Sequence, residues 1–228
     1  MVIYENLYNK VDLGVNFENV KNEVLDGVNV RSEFQLNRVT EEVIKDAINL
    51  MKAKKNDSIF FFLNGPPELV PHLTQLVKLY LSHGFVPYTV LLCTLLPLVK
   101  DNLGDITSSD NYRALAGGCL LLKLIDLVIL MLEGDKLSFD AMQFAYQTKS
   151  STSMCTWTVN AVVDHFNRGG VPVYGAAMDM WKAFNMVECG ELFRTLLDRG
   201  VDPIFLRLIL FIYSKQQCDV RWCGSWLF

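Results

Sequence analysis

The stretch PVYGAAMDMWKAFNMV (residues 172–187) contains the pattern from which we predict the fold of this chain. Small and apolar residues lead up to Asp179, and we predict a strand over VPVYGAAMD (171–179) that neighbouring elements can approach closely. A carboxylate at the end of such a strand is suited to Mg²⁺, because hard cations prefer oxygen ligands. The alternative is that Asp179 caps the helix that follows it. Because the spacing of Asp179 and Phe184 is a weak pattern, both interpretations stay open at this point.

Hydrophobic periodicity predicts helices on both sides of this stretch, and therefore a fold of the mixed α/β (α+β) class. Two extended segments accompany them, TVLLCTLLPLVK (89–100) and CDVRWC (218–223). Between residues 101 and 111 the polar sequence DNLGDITSSDN is typical of the tip of a hairpin. The short apolar run SIFFFL (58–63) is compatible with a buried strand or a wedge. The predicted helices span residues 41–55, 69–81, 117–132, 151–168, 186–199 and 203–215.

Residues 1–38 differ from the rest of the chain. They are polar and rich in asparagine, with only weak hydrophobic periodicity. We therefore expect a linker or a loosely attached arm here. The remainder is predicted to form a helical region with one hairpin over 39–170 and a region built around the strand and its following helices over 171–228.

The composition of the chain excludes several classes of protein. Apolar residues make up 51% of the 228 residues and charged residues 20%, which provides a packed core and argues against a disordered protein. The formal net charge is −4, whereas a freestanding nucleic-acid binder needs clustered lysine and arginine to neutralise phosphates. The motifs GxSxG, HExxH, Walker A and GxGxxG, which are typical of other enzyme classes, do not occur.

The six cysteines form no CxxC pair, and the three histidines do not lie at zinc-ligand spacing from them. We therefore expect buried thiols in a reducing compartment. The N-terminus lacks a signal-peptide pattern, and the most apolar window, 114–132, contains Lys123 and Asp126. A bilayer span needs about 20 uninterrupted apolar residues, so we expect no membrane segment and an intracellular protein of the cytoplasm or nucleus that is not secreted. The cysteines are Cys93, Cys119, Cys155, Cys189, Cys218 and Cys223.

Three motifs resemble, in the same order, those of the reverse transcriptases of LINE-type (non-LTR) retrotransposons. The segment DMWKAFNMV (179–187) is similar to the family's first catalytic motif, D-x-x-K-A-F-D. Upstream, TLLPLVKDNLGDITSSDNYRALA (94–116) is similar to the first fingers motif, an apolar run with Pro and Lys followed by a loop that ends in N-Y-R. Between them, QFAYQTKSST (143–152) resembles Q-F-G-F-R-P-G-R-S-T. The resemblance implies polymerase fingers over 39–170 and an incomplete palm over 171–228.

The resemblance also implies a role for each matching residue. Asp179 would be a catalytic, metal-binding carboxylate, with the backbone carbonyl of Met180 as a second oxygen ligand of Mg²⁺. Phe184 would lie beneath the incoming sugar and exclude a 2′-hydroxyl. Arg113 would hold the triphosphate with help from Lys100, because guanidinium groups bind phosphate oxygens in a fork.

The same resemblance implies that Gln143 lies near the nucleotide and the template, and that the partners are an RNA template, a DNA primer and deoxynucleotides. Two simpler interpretations stay open: Lys100 as a solvated loop charge, and Arg113 as a partner in a loop–helix salt bridge. We also expect Asp179 to be accessible to solvent, with Arg113 on the same concave side of the molecule.

The chain departs from the family pattern at three points. Asn185 replaces the usual Asp, and Gln147 and Ser150 stand where the family has arginines. The sequence contains no adjacent Asp-Asp pair, although the family draws its other carboxylates from a later Y/F-x-D-D hairpin and two-metal chemistry needs them. The sequence ends soon after CDVRWC, before that hairpin and the thumb. The expectation is therefore a truncated fragment that is inactive alone.

Two other hypotheses accompany this one. The chain could be a non-catalytic remnant that binds nucleic acid or a protein, or a relic with no selected role. Truncation would leave apolar palm surface without a partner, and such a surface favours self-association. The side chains expected at this surface are Phe205, Leu206, Ile209, Phe211, Trp222 and Trp226.

Overall fold

The computed structural model shows a mixed α/β fold that is mostly helical and contains a small sheet. The predicted fold class is confirmed at that level. The residues that the structure describes are 16–28, 32–51, 65–137, 139–147, 149–180, 183–222 and 225–227.

The described residues form two compact units. The first consists of the described parts of Met1–Lys136 and Glu188–Phe228, and the second is Leu137–Val187. This division differs from the predicted boundary between residues 170 and 171. The difference arises because the helices after residue 188 pack on a helix that begins at Phe17.

Helices and strands are numbered here in chain order over the described residues. Short 3-10 turns also occur at Ser109–Asn111, Gly134–Lys136 and Ala183–Met186. The strands are β1 Leu92–Val99, β2 Tyr112–Gly117, β3 Gln217–Trp222 and β4 Ser225–Leu227. The helices are α1 Phe17–Val28, α2 Ser32–Asn37, α3 Glu41–Leu50, α4 Leu69–His83, α5 Tyr88–Leu91, α6 Leu120–Glu133, α7 Thr152–Arg168, α8 Cys189–Asp198 and α9 Pro203–Lys215.

Local sequence signals define the ends of several helices. The Thr40 hydroxyl accepts a hydrogen bond from the backbone N–H of Val43 at 3.3 Å and caps α3. Helix α4 ends at Gly84, whose φ of 63° lies in the left-handed region that glycine adopts without strain. Asp202 caps α9 by accepting a hydrogen bond from the N–H of Ile204. The predictions of α4 and α9 are therefore confirmed. The helix predicted over 41–55 begins as expected but ends at Leu50, where Met51 is extended, and residues 52–55 lie outside the described part of the chain.

The main hydrophobic core lies between α3, α4, α6 and α9. Helix α6 is apolar over most of its length, and its residues Leu124, Ile125 and Val128 are almost completely buried. Full burial of such a side chain contributes about 1.5–3 kcal/mol relative to exposure. These helices therefore supply much of the stability of the first unit.

The prediction of an exposed apolar surface on α9 is wrong for Phe205 and Leu206. Phe205 and Leu206 are 0% exposed, because α9 packs against α1, α4 and α8. Ile209 and Phe211 are partly buried against the core. The side chains of Trp222 and Trp226 lie outside the described part of the chain.

Helix α1 lies in the segment that the sequence analysis assigned to a linker or arm. Its residues Phe17, Val20, Val24 and Val28 are buried, and α1 packs against α8 and α9. The ring of Phe17 meets that of Phe193 edge-on, with 6.4 Å between the centroids. The prediction of a loose arm is wrong for this part, because spacings of three and four residues are enough to form an apolar helix face.

The sheet has the strand order β2-β1-β3-β4. Strands β1 and β2 form an antiparallel pair, β3 runs parallel to β1, and β4 is antiparallel to β3. The predicted hairpin and the predicted strand at CDVRWC are therefore confirmed, whereas β4 was not anticipated. The run SIFFFL lies outside the described residues.

The strand predicted over residues 171–179 does not form. Residues 171–180 have no regular secondary structure, and all of them are exposed. A strand is stabilised by side-chain contacts with its neighbours, and the small residues Gly175, Ala176 and Ala177 offer little surface for such contacts. The 3-10 turn Ala183–Met186 follows, and the predicted helix over 186–199 begins at Cys189.

The expectation of thiols alone is wrong for one pair of cysteines. Cys93 of β1 and Cys218 of β3 form a disulfide. Cys119, Cys155 and Cys189 are not disulfide-bonded, and Cys223 lies outside the described residues. The pair was missed because the two residues are separated by 125 positions and only the parallel pairing of β1 and β3 brings them together.

Candidate active site

The β1–β2 hairpin carries two of the residues that the resemblance singled out. The strands pair from Thr94 with Gly117 to Val99 with Tyr112, so Arg113 lies opposite Leu98. Lys100 is the first residue after β1, and its backbone N–H donates to the Asn111 carbonyl at 2.8 Å. Lys100 and Arg113 therefore lie at the same end of one rigid hairpin.

Asn111 organises the loop of this hairpin. Its side-chain oxygen accepts from the N–H of Asp101 at 3.0 Å, while its amide nitrogen donates to the carbonyls of Asp101 and Asp105 at 2.9 and 3.3 Å. A Cβ added to Gly104 would lie 3.0 Å from that nitrogen. The role of Asn111 was not predicted from the sequence, although Asn in a turn is a known signal for such side-chain-to-backbone hydrogen bonds.

A second turn inside the loop is built around Asp105. Its carboxylate accepts hydrogen bonds from the hydroxyl and the N–H of Thr107, at 2.6 and 2.8 Å. These hydrogen bonds from Thr107 lower the pKa of Asp105. The Asp105 carboxylate therefore stabilises the conformation of the loop through these two hydrogen bonds.

Lys100 contributes to the same loop. Its ammonium group donates to the Asp110 carbonyl at 2.6 Å, and the residue is exposed. An ammonium group has three donors, so one bond to the loop leaves donors for another acceptor. Lys100 therefore stabilises the loop with one hydrogen bond and has donors left for a phosphate.

Arg113 lies on the open face of the sheet. Cα partners in an antiparallel pair project to the same face, so Arg113 shares its face with Leu98, while the buried Cys93 and Leu95 alternate to the other face. Arg113 is exposed. Among the described residues no ion pair involves Arg113, so the loop–helix salt bridge that was held open is not found there.

The open face around Arg113 is apolar. Leu96, Leu98 and Leu115 are 37%, 49% and 52% exposed, and Asp219 of β3 pairs with Thr94 at the opposite end of this face. A guanidinium beside exposed leucines can bind an anion while a flat, partly apolar group lies against the leucines. The place of Asp219 could not be predicted from the sequence, because it depends on the pairing of β3 with β1.

The remaining candidate residues belong to the second unit. Asp179 and Met180 lie in the exposed segment 171–180. Phe184 lies in the 3-10 turn Ala183–Met186, but its side chain and that of Asn185 are outside the described part. The exposed Gln143 donates from its side-chain amide to the Ala145 carbonyl at 3.4 Å.

The carboxylate of Asp179 is solvent-accessible, as polymerase chemistry would require, but Arg113 belongs to the first unit and Asp179 to the second. A common site for Arg113 and Asp179 therefore stays a prediction.

The described residues do not make a complete magnesium site. Asp179 and the Met180 carbonyl offer few of the oxygen ligands that Mg²⁺ takes from protein and water. No group of three or more His, Cys, Asp or Glu residues that could hold a metal occurs in the described ranges. The donor set present there does not fit the two-ion centre that the resemblance implies.

No family model matches this chain. The resemblance to reverse transcriptases therefore depends on the three ordered motifs and on the residues within them. As for membrane segments, no helix in the described residues is long and apolar enough to cross a bilayer.

Proposed function

We propose that this chain corresponds to the fingers and the first part of the palm of a LINE-type reverse transcriptase, an RNA-directed DNA polymerase, and that it binds deoxynucleoside triphosphates through the β1–β2 hairpin. The observation that carries the proposal is the agreement between a motif and a local structure. The segment 94–116, similar to the first fingers motif, is a hairpin with Arg113 exposed on its open face. An RNA template and a DNA primer are the nucleic-acid partners that the proposal implies, inside the cell.

In this proposal Arg113 binds the triphosphate. The guanidinium group grips two phosphate oxygens at once, and Arg113 has no described carboxylate partner to compete with a phosphate. Lys100 assists with the donors that its bond to the Asp110 carbonyl leaves over. Mg²⁺ enters only as the ion that accompanies the triphosphate, since the described residues do not fit a resident metal centre.

The second unit contains the other residues to which the resemblance assigns a role. There the resemblance makes Asp179 and the Met180 carbonyl oxygen ligands of Mg²⁺, Phe184 a contact of the sugar, and Gln143 a neighbour of the nucleotide and the template. All four assignments come from the motif resemblance. Because the sequence contains no Asp-Asp pair, the proposal gives this chain nucleotide binding and not primer extension on its own.

Nucleotide binding by the purified chain tests the proposal. Isothermal titration with dATP and Mg²⁺ is expected to show binding that Arg113→Ala weakens about 10- to 100-fold, because hydrogen bonds to a charged group contribute about 1.5–3 kcal/mol. Arg168→Ala, which removes an exposed arginine at the end of α7, is the matched control and is expected to bind like the wild type. Equal binding by Arg113→Ala, or no binding by the wild type, would contradict the proposal.

The alternative function is that of a non-catalytic binding remnant. One observation favours it: α7 has no buried residues, and Trp157 and Phe166 are 72% and 45% exposed. Large exposed aromatic side chains are typical of surfaces that bind a partner. Binding of single-stranded RNA that weakens with salt would support a nucleic-acid remnant, whereas dimers in light scattering that persist in high salt would support self-association through an apolar surface.

A further inference from the structure

The disulfide connects two strands that are neighbours in the sheet but distant in the sequence. Cys93 and Cys218 are Cα partners in the parallel pairing of β1 and β3. The bond therefore lies within the ladder and links β3 to the strand that carries the β1–β2 hairpin. It plays no part in the nucleotide binding proposed above.

The β3–β4 pair depends on this connection. Strand β3 pairs with β1 over four positions, from Leu92 with Gln217 to Leu95 with Val220. Among the described strands β4 pairs with β3 alone. A side-chain hydrogen bond from the Tyr88 hydroxyl to Gln217, at 2.5 Å, adds to the same junction. Four pairs of backbone partners, one side-chain hydrogen bond and one covalent bond thus hold β3 and β4 to β1 and its neighbourhood.

The two cysteines differ in their exposure to solvent. Cys93 is 3% exposed, whereas Cys218 is an exposed residue. A thiolate from solvent can therefore approach the bond from the side of Cys218, because thiol–disulfide exchange depends on access to the sulfur that is attacked.

We propose that the Cys93–Cys218 disulfide is a redox-sensitive clasp, which holds the β3–β4 pair in register on β1 when oxidised and releases it when a small thiol such as glutathione reduces it. In the first step the glutathione thiolate attacks the sulfur of Cys218, a mixed disulfide forms, and Cys93 leaves as a thiolate that takes a proton from water. In the second step another glutathione attacks the mixed disulfide. Oxidised glutathione and the Cys218 thiol are the products.

Reduction of the disulfide affects the β1–β2 hairpin and the β3–β4 pair differently. The β1–β2 hairpin keeps six pairs of partners and its ordered loop, so it does not need the clasp. Among the described contacts to β1 and its neighbourhood, the β3–β4 pair keeps the short parallel ladder and the hydrogen bond from Tyr88 to Gln217. Local opening is easiest where few backbone pairs hold a segment, so reduction acts on β3 and β4 and leaves β2 in place.

Hydrogen–deuterium exchange of the whole chain tests the clasp. After reduction with dithiothreitol the amides of residues 217–220 are expected to exchange at least tenfold faster than in the oxidised protein, while those of 112–117 stay unchanged. Cys218→Ser is expected to exchange at the fast rate in both conditions. The matched control is Cys155→Ser, which removes an exposed thiol and is expected to keep the full response to reductant.

Two results would overturn the clasp. One is equal exchange of residues 217–220 in the oxidised and reduced protein. The other comes from alkylation and intact mass after equilibration with oxidised glutathione: if Cys93 and Cys218 both react with the alkylating reagent, the bond does not form. Protection of both cysteines in the same measurement, with exposure of both after reduction, supports the proposal even if Cys218→Ser fails to fold.

Discussion

Glu133 connects three elements of the first unit through a single buried carboxylate. It is 2% exposed and accepts hydrogen bonds from Arg38 of the α2–α3 connection, from Lys136, and from the backbone N–H of Asp202, at 2.6, 2.6 and 2.9 Å. Burial by itself would raise the pKa of Glu133, but the hydrogen bonds from Lys136, Asp202 and Arg38 outweigh it and lower the pKa. The carboxylate is therefore ionised and fully bonded in the folded protein.

The lowered pKa of Glu133 predicts how stability depends on pH. Its contribution is fully present above the ordinary value of 4.5 and is lost as the pH falls through the lower folded value. Glu133→Gln is expected to reduce the free energy of unfolding by about 2 kcal/mol at pH 7 and to lose less stability than the wild type between pH 6 and pH 3. Urea unfolding at several pH values measures both effects.

Glu18→Gln is the matched control for Glu133→Gln. Glu18 pairs with Lys21 at 3.0 Å on the exposed surface of α1, and such pairs contribute about 0–1 kcal/mol. The interpretation of Glu133 would be wrong if the two variants lost stability to the same extent at pH 7.

At the level of elements, α1 shows that a narrow apolar face is enough to pack a helix into the core. Val20 and Val24 are 0% exposed although the helix is otherwise polar. The apolar face of α1 thus lies against α8 and α9 and belongs to the core of the first unit. A helix is held in place by such tertiary packing more than by its intrinsic propensity.

Replacement of Val24 tests whether α1 is an integral part of the fold. Val24→Ala is expected to lower the free energy of unfolding by about 1–3 kcal/mol, because it removes buried methyl groups and leaves a cavity. Asn22→Ala, on the exposed side of the same helix, is the control and is expected to change it by less than about 0.5 kcal/mol. Thermal or urea unfolding that does not distinguish the two variants would instead support the loose arm.

The elements also show which features the sequence could predict. Helices with caps and a broad apolar face, such as α4 and α9, follow from local signals, and so does the β1–β2 hairpin with its polar tip. The strand over 171–179 was predicted wrongly, because small apolar residues are compatible with extended chain but a strand depends on partners elsewhere. Of the candidate site, Arg113 and Lys100 could be assigned to one hairpin, whereas Asp219 required knowledge of the pairing between β1 and β3.

At the scale of the whole molecule, long-range pairing connects the ends of the first unit. Helices α8 and α9 return to α1, and β3 returns to β1. The Cys93–Cys218 bond closes a loop of 125 residues, a length for which chain entropy in the unfolded state corresponds to about 4–5 kcal/mol. The second unit, Leu137–Val187, interrupts this return and contains Asp179.

The central claim is that Arg113 of the β1–β2 hairpin binds the triphosphate of a deoxynucleotide. Affinity cleavage measures this directly: in the presence of hydrogen peroxide and ascorbate, dATP carrying Fe²⁺ in place of Mg²⁺ generates hydroxyl radicals that cut the backbone close to the bound triphosphate. We predict cuts in the hairpin, over residues 98–113, and their loss in Arg113→Ala. The absence of cuts in the hairpin, or hairpin cuts that persist in Arg113→Ala, would contradict this claim.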